Sequence, residues 1–315
     1  MSRKFPTLPV ILLYGFSEVV LQKSVLAGLF ILAGIIRGSF ASHTPEVICG
    51  ALLGVATSTV AGMLLPESVR DGQNGLWGFN GLLVGCAFPT FLESTPAMWT
   101  ALMLCSASTV WIRSGLNRIG APLSVNSLTF PFVLSVWIFL FASRCLSNMP
   151  SDALSAPALT YRMASAVIPP SAADCVVFML KGISQIFLIN DPLAGVLFLL
   201  ALAAGSVRAA LRAASGSLIA VFLALMYGAP ESLLTNGLLG FSPALTAVAL
   251  GSRICGTGIC NLFWTLTAVV FTFFLQLGMQ ALTDPFGIPV LTAPFCITVW
   301  LFMLPGYRFS DSDRE

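Results

Sequence analysis

Histidine is almost absent from this sequence, with His43 alone in 315 residues. Charge is scarce as well: Asp, Glu, Lys and Arg together make up 9% of the chain, against about 25% in a typical soluble domain. A single histidine leaves no His-based ligand set for a metal. The eight cysteines (Cys49, Cys86, Cys105, Cys145, Cys175, Cys255, Cys260, Cys296) contain no CxxC pair to replace one. They read as free thiols packed as small hydrophobes. A net charge of +2 is too small to favour nucleic acid or another polyanion. No GxSxG elbow, HExxH or P-loop is present, and Gly256-Thr-Gly-Ile-Cys-Asn261 lacks the third glycine of a dinucleotide fingerprint. There is also no Asp/Glu/His chain of the kind a proton pump needs. Neither an enzyme nor a cofactor is expected.

What the chain has in quantity is apolar surface. With 57% hydrophobic residues it cannot cover itself with polar groups as a soluble protein of this size must. The composition predicts an all-α integral membrane protein whose partner is the lipid bilayer. Ser2-Arg3-Lys4 precedes the first apolar run without a small-residue cleavage site, so the N-terminus reads as mature protein.

That first run, Leu8 to Leu21, is interrupted by Gly15, Ser17 and Glu18 and stops at Gln22-Lys23-Ser24. It is too short for a hydrocarbon core of ~30 Å, which needs about 20 residues, and predicts a half-helix. Five longer runs follow near 25–41, 46–65, 76–92, 97–112 and 123–143. The interval 144–172 is polar and rich in proline. The pattern then starts again: a short run from Cys175 to Ile189, then five spans near 192–207, 214–229, 233–251, 259–280 and 288–304.

The recurrence extends to residues. Gly75-Leu-Trp-Gly-Phe-Asn-Gly-Leu-Leu-Val-Gly85 returns as Gly237-Leu-Leu-Gly-Phe-Ser-Pro-Ala-Leu-Thr-Ala247. Gly15-Phe-Ser-Glu-Val-Val-Leu21 returns as Gly182-Ile-Ser-Gln-Ile-Phe-Leu188, and Leu128-Thr-Phe-Pro-Phe132 as Leu291-Thr-Ala-Pro-Phe295. Three collinear blocks indicate a duplication. The expected organisation is a first membrane repeat (1–145), a polar linker (146–172) and a second repeat (173–315) sharing one core. Five crossings per copy is an odd number, so the second copy enters the membrane inverted, with a central pore at the repeat interface. The loop arginines and lysines favour both termini in the cytoplasm.

Glu18 is the one acid deep inside an apolar run, and Gln185 is its repeat mate. An ionisable group at membrane depth must face a cavity or a partner; the alternative is an interfacial residue that caps a short helix. Thr129 and Thr292 each stand two residues before a proline, where a broken or kinked helix would free carbonyls that a pore could use. Alternatively, each threonine bonds back to its own helix. Phe79 and Leu83, with their counterparts Phe241 and Leu245, share a helix face at a spacing of four and would line the pore with apolar wall. Gly50-Ala-Leu-Leu-Gly54 and Gly81-Leu-Leu-Val-Gly85 are assigned to helix packing.

At these residues the sequence resembles the urea transporter family. The likeness rests on the Leu-Trp-Gly-Phe-Asn-Gly-Leu-Leu-Val-Gly stretch, its weaker second copy, the two Leu-Thr-x-Pro-Phe elements and the Glu18/Gln185 pair, and covers essentially the whole chain. The resemblance implies two inverted repeats, each of five transmembrane helices plus one re-entrant half-helix. It also implies a homotrimer, passive conduction of urea through each protomer, and residence in a bacterial inner membrane. It further implies that Glu18 and Gln185 belong to outer and inner binding sites and Thr129 and Thr292 to the central constriction. Phe79, Leu83 and Leu245 would form pore walls, and Phe241 joins them by repeat symmetry. Two departures accompany the likeness: Ser242-Pro243 replaces Asn80-Gly81, and Leu21 and Leu238 are aliphatic where aromatic slot residues are expected. The alternative is a proton-coupled secondary transporter of another small polar solute, with Glu18 carrying the proton.

Overall fold

The computed structural model describes residues 6–65, 69–151, 170–251 and 258–312, with side chains omitted at 69–70 and 306–312. Every regular element among them is a helix. The first half holds α1 (Leu8–Glu18), α2 (Val25–Ala41), α3 (Glu46–Met63), α4 (Val69–Gln73), α5 (Phe79–Phe91), α6 (Pro96–Gly120) and α7 (Phe130–Ser143). The second runs through α8 (Ala172–Ser184), α9 (Pro192–Gly205), α10 (Val207–Tyr227), α11 (Glu231–Thr235), α12 (Phe241–Leu250), α13 (Ile259–Thr283) and α14 (Ala293–Ser312). Short 3-10 turns follow α6 and α13, at Ala121–Leu123 and Asp284–Phe286. Most of the 146–172 linker lies outside the described residues.

Polar residues at the apolar boundaries start these helices. Ser24, Thr95, Asp191 and Ser206 each accept a hydrogen bond from the backbone N–H three residues on, and Ser171 forms a reciprocal box with Asp174. In a membrane each such cap matters more, since lipid offers no replacement for a free N–H.

Among the described residues three helices are long and apolar enough to cross a membrane: α3, α10 and Ile259–Phe286, which is α13 with its turn. A fourth candidate is the pair Ala172–Phe187 and Pro192–Gly205, bent by 73° at the break between them. The bend separates α8, the expected half-helix, from α9. The other expected crossings are less regular. The 13 residues of α5 rise only about 20 Å, so reaching across takes α4 and the turn before it; α12 stands to α11 in the same way. Helix α6 is 25 residues long but carries Arg113 and Arg118 in its second half. Helix α7 begins at Phe130, seven residues later than the hydropathy suggested, because the chain takes left-handed backbone at Ser124 (φ 54°) and Leu128 (φ 52°).

Glycine sets the closest approaches. A Cβ at Gly54 would stand 2.1 Å from the Gly81 carbonyl, and one at Gly50 would stand 2.2 Å from that of Gly85. The two GxxxG pairs therefore pack α3 against α5 backbone to backbone, as expected. Such contact supplies the dispersion energy that helix association in lipid requires, since lipid tails already satisfy apolar side chains. In the same manner α1 crosses the turn before α5 at Gly15, Gly75 and Gly78, and α8 crosses the turn before α12 at Gly182, Gly237 and Gly240.

The halves meet along α2 against α9 and α7 against α14. Their contacts come in reciprocal pairs. Trp137 Nε1 of α7 donates to the Pro289 carbonyl before α14 at 2.8 Å, and Trp300 Nε1 of α14 donates to the Asn126 carbonyl before α7 at 2.8 Å. An Arg37–Asp191 ion pair at 3.6 Å also spans the halves. Of the free cysteines, Cys86, Cys105 and Cys296 are buried, but Cys49, Cys145 and Cys260 are exposed. The expectation of buried thiols therefore holds for three and fails for three, because in a bilayer an outward thiol meets lipid and loses nothing by exposure; Cys175 is half-buried and Cys255 lies outside the described residues.

Candidate functional site

The Leu-Thr-x-Pro-Phe elements lie at the seam between the halves. Pro131 and Pro294 take the second positions of α7 and α14, where a missing N–H costs nothing, so they start helices and do not kink them. Immediately before the threonines, Leu128 and Leu291 adopt φ of 52° and 50°. A non-glycine residue held left-handed costs of order 1–3 kcal/mol and persists where its surroundings fix it. The consequence is a direct meeting across the seam: Thr129 Oγ1 and Thr292 Oγ1 are hydrogen-bonded at 2.7 Å, both buried. Thr129 also reaches Cys296 Sγ at 3.3 Å. Neither threonine bonds back to its own helix.

Glu18 is the last residue of α1, and Gln185 the residue that ends α8. A carboxylate at a helix C-terminus is opposed by the macrodipole, which disfavours a capping role for Glu18. Its carboxylate has no hydrogen-bond partner among the described residues. Gln185 Nε2 donates to the Asn236 carbonyl at 3.0 Å, which leaves Oε1 as its free acceptor. Two asparagines that sequence reasoning passed over hold the neighbouring turns. Asn190 Nδ2 donates to Asn236 Oδ1 at 2.8 Å, and in the first half Lys23 Nζ donates to Asn74 Oδ1 and sits 5.3 Å from the Tyr14 ring. Asn74-Gly75 and Asn236-Gly237 extend the recurring block by one residue, and that extension was the available signal.

A cavity of about 390 Å³ runs from this second turn to the seam. Gln185, Asn190, Leu238, Phe241, Phe132 and Thr292 line it. Of the eight expected site residues it brings together Gln185, Phe241 and Thr292, with Thr129 joined through its hydroxyl bond. Glu18, Phe79, Leu83 and Leu245 are not on it. Phe79 and Phe241 open α5 and α12, each 7% exposed, and Leu83 and Leu245 stand one turn further in, fully buried. Phe132, unexpected as a lining residue, is fixed by its backbone N–H donating to Asn80 Oδ1 at 3.3 Å. The walls are mainly apolar, interrupted by the amides of Gln185, Asn190 and Gln280, by Asp284 and by Thr90 and Thr292.

Known proteins resemble this chain over nearly its whole length. A family model described as urea transporter matches residues 10–307. The chain is 27% identical over 300 residues to urea transporter 1 of Ovis aries and of Capra hircus, covering 93% of this chain and 75% of each relative. It is 27% identical over 301 residues to urea transporter 1 of Rattus norvegicus, covering 93% and 76%.

Proposed function

The chain belongs to the urea transporter family and carries urea passively across a membrane, and we propose that the path is the seam between two inverted copies of one fold. Each copy comprises a re-entrant half-helix (α1, α8) and five crossings, the third of them assembled from a short helix, a turn and a half-length helix. Two observations support the duplication beyond the sequence blocks. Left-handed residues recur in pairs: Leu21 with Leu188, Gly75 with Gly237, Leu128 with Leu291. The tryptophan bonds across the seam are reciprocal, as a twofold relation requires. We assign the copies to 1–145 and 173–315, both termini to the cytoplasm, and the chain to a homotrimer in a bacterial inner membrane.

Urea is planar and neutral, with four N–H donors and one carbonyl. Stripping an amide of water without replacement costs roughly 2–7 kcal/mol, so a path through an apolar wall must return hydrogen bonds at intervals. Gln185 Oε1 supplies an acceptor at one mouth and the Glu18 carboxylate supplies acceptors at the other. Between them the Thr129 and Thr292 hydroxyls each donate and accept. Their mutual bond can be exchanged for bonds to urea: an N–H donated to one, the carbonyl receiving from the other. Phe79, Leu83, Phe241 and Leu245 form the apolar wall that flattens the slot. An alkali ion gains no ring of charges or carbonyls there, so its dehydration goes uncompensated.

The 2.7 Å hydroxyl bond between the copies carries this reading, because it puts the paired threonines at one point on the seam, at the end of the cavity. The test is urea flux into proteoliposomes with and without a proton gradient. Passive conduction gives equal rates that cease when urea equilibrates. Uphill accumulation driven by protons would overturn it in favour of coupled transport.

A further inference from the structure

A second cavity, of about 250 Å³, lies between the start of α10, the end of α12 and the first turns of α13, away from the seam. Arg208, Arg212, Ser215, Asn261 and Thr265 line it, among apolar residues. Neither arginine forms an ion pair with an acid among the described residues, unlike Arg37 with Asp191 and Arg113 with Asp71. Thr265 is 8% exposed and its hydroxyl has no hydrogen-bond partner. Space for Arg212 depends on Gly251, where a Cβ would come within 2.4 Å of the arginine Cδ.

The first half, on the duplication proposed above, has no such pocket chemistry at the corresponding places. Arg208 corresponds to the acid Glu46, while positions 212 and 215 correspond to Gly50 and Leu53, and 261 and 265 to Met98 and Leu102. There, Gly50 seals α3 onto the α5 backbone, and Met98 and Leu102 are fully buried. Four polar groups in one half thus replace a closed apolar joint in the other. A membrane protein leaves a buried hydroxyl and unpaired guanidinium groups together only where something completes them.

We propose that this pocket binds the phosphate of an anionic lipid headgroup. Guanidinium groups match phosphate oxygens with paired N–H donors, and the Thr265 hydroxyl supplies a further donor. The pocket lies at the ends of three helices, hence at a membrane face, where basic pockets between helices take such headgroups. Leu262 and Leu266, lining the same cavity at 66% and 44% exposure, offer the acyl chains an apolar bed.

The experiment is native mass spectrometry of the full chain released from nanodiscs holding phosphatidylglycerol and phosphatidylcholine in equal amounts. Wild type retains phosphatidylglycerol preferentially, and the Arg208→Gln, Arg212→Gln variant loses that preference by roughly tenfold or more. Thr265→Val, close in shape, weakens it in part, and keeps the test decisive should the double variant fold poorly. Equal retention of phosphatidylglycerol in wild type and in either folded variant would overturn the site. Displacement of the lipid by inorganic phosphate, with thermal stabilisation of lipid-free protein by phosphate alone, would assign the pocket to a free anion and overturn the lipid source.

Discussion

The threonine pair is not symmetric in what each hydroxyl stands to lose. Thr129 has two partners, Thr292 and Cys296, whereas the Thr292 hydroxyl has only Thr129. Thr129→Val therefore strands a buried hydroxyl, at a cost of about 1–3 kcal/mol, while Thr292→Val leaves Thr129 on the thiol. Thermal unfolding in detergent should place Thr129→Val several degrees below Thr292→Val; the opposite order would mean that the bond is not formed. At Glu18 the requirement is for oxygen, since its counterpart is a neutral Gln185. Glu18→Gln should keep most of the urea flux and Glu18→Ala should lose it, whereas a proton carrier would fail with both. These residues were legible because each stands inside a recurring block. Asn190, Gln280 and Asp284 were not, for their place on the cavity depends on which turns fold back to the seam, and no local pattern encodes that; Phe132 closes a recurring block and was open to the same reading as Thr129. Asn74 and Asn236 were legible and missed, since an Asn-Gly step reads as an ordinary turn.

Among the elements, the tightest joint is α3 on α5. At Gly54 any side chain meets a backbone carbonyl, which cannot rotate away, at 2.1 Å. Gly54→Val should therefore abolish a monodisperse size-exclusion peak or lower the melting temperature sharply, while Gly115→Ala, with nothing within 4 Å of its Cβ, should leave both unchanged. This joint was readable from the two GxxxG pairs, and the half-helices from their short apolar runs. Helix ends were read less well, for two physical reasons. Hydropathy stops at charge and so truncates α6 at Arg113 and α10 after Arg212. Yet Arg113 is buried and answered by Asp71 at 3.0 Å, and arginine near a helix start can extend its head toward water, so both helices stay intact. It also runs through apolar turns, so α7 was started at 123 although Ser124 and Leu128 adopt left-handed backbone that no hydropathy profile registers.

For the molecule as a whole, the seam between the halves unites the two hydroxyls, the reciprocal tryptophan bonds and the cavity wall. The proposed duplication rests on three sequence blocks at nearly constant separation and on left-handed backbone that recurs at residues the blocks contain. The asymmetry between the halves is equally informative: Lys23 holds Asn74 in the turn before α5 where Asn190 holds Asn236 in the turn before α12, and the α10–α12 joint is open where α3–α5 is sealed. Passage of urea between the halves, at the threonine pair, is tested most directly by stopped-flow urea permeability of proteoliposomes bearing the Thr129→Val, Thr292→Val double variant. Removing both hydroxyls leaves no stranded partner between them but strips the slot of its central hydrogen bonds, so urea permeability should fall by roughly tenfold or more, with the size-exclusion profile unchanged. Wild-type urea permeability in the correctly assembled double variant would contradict a path along this seam.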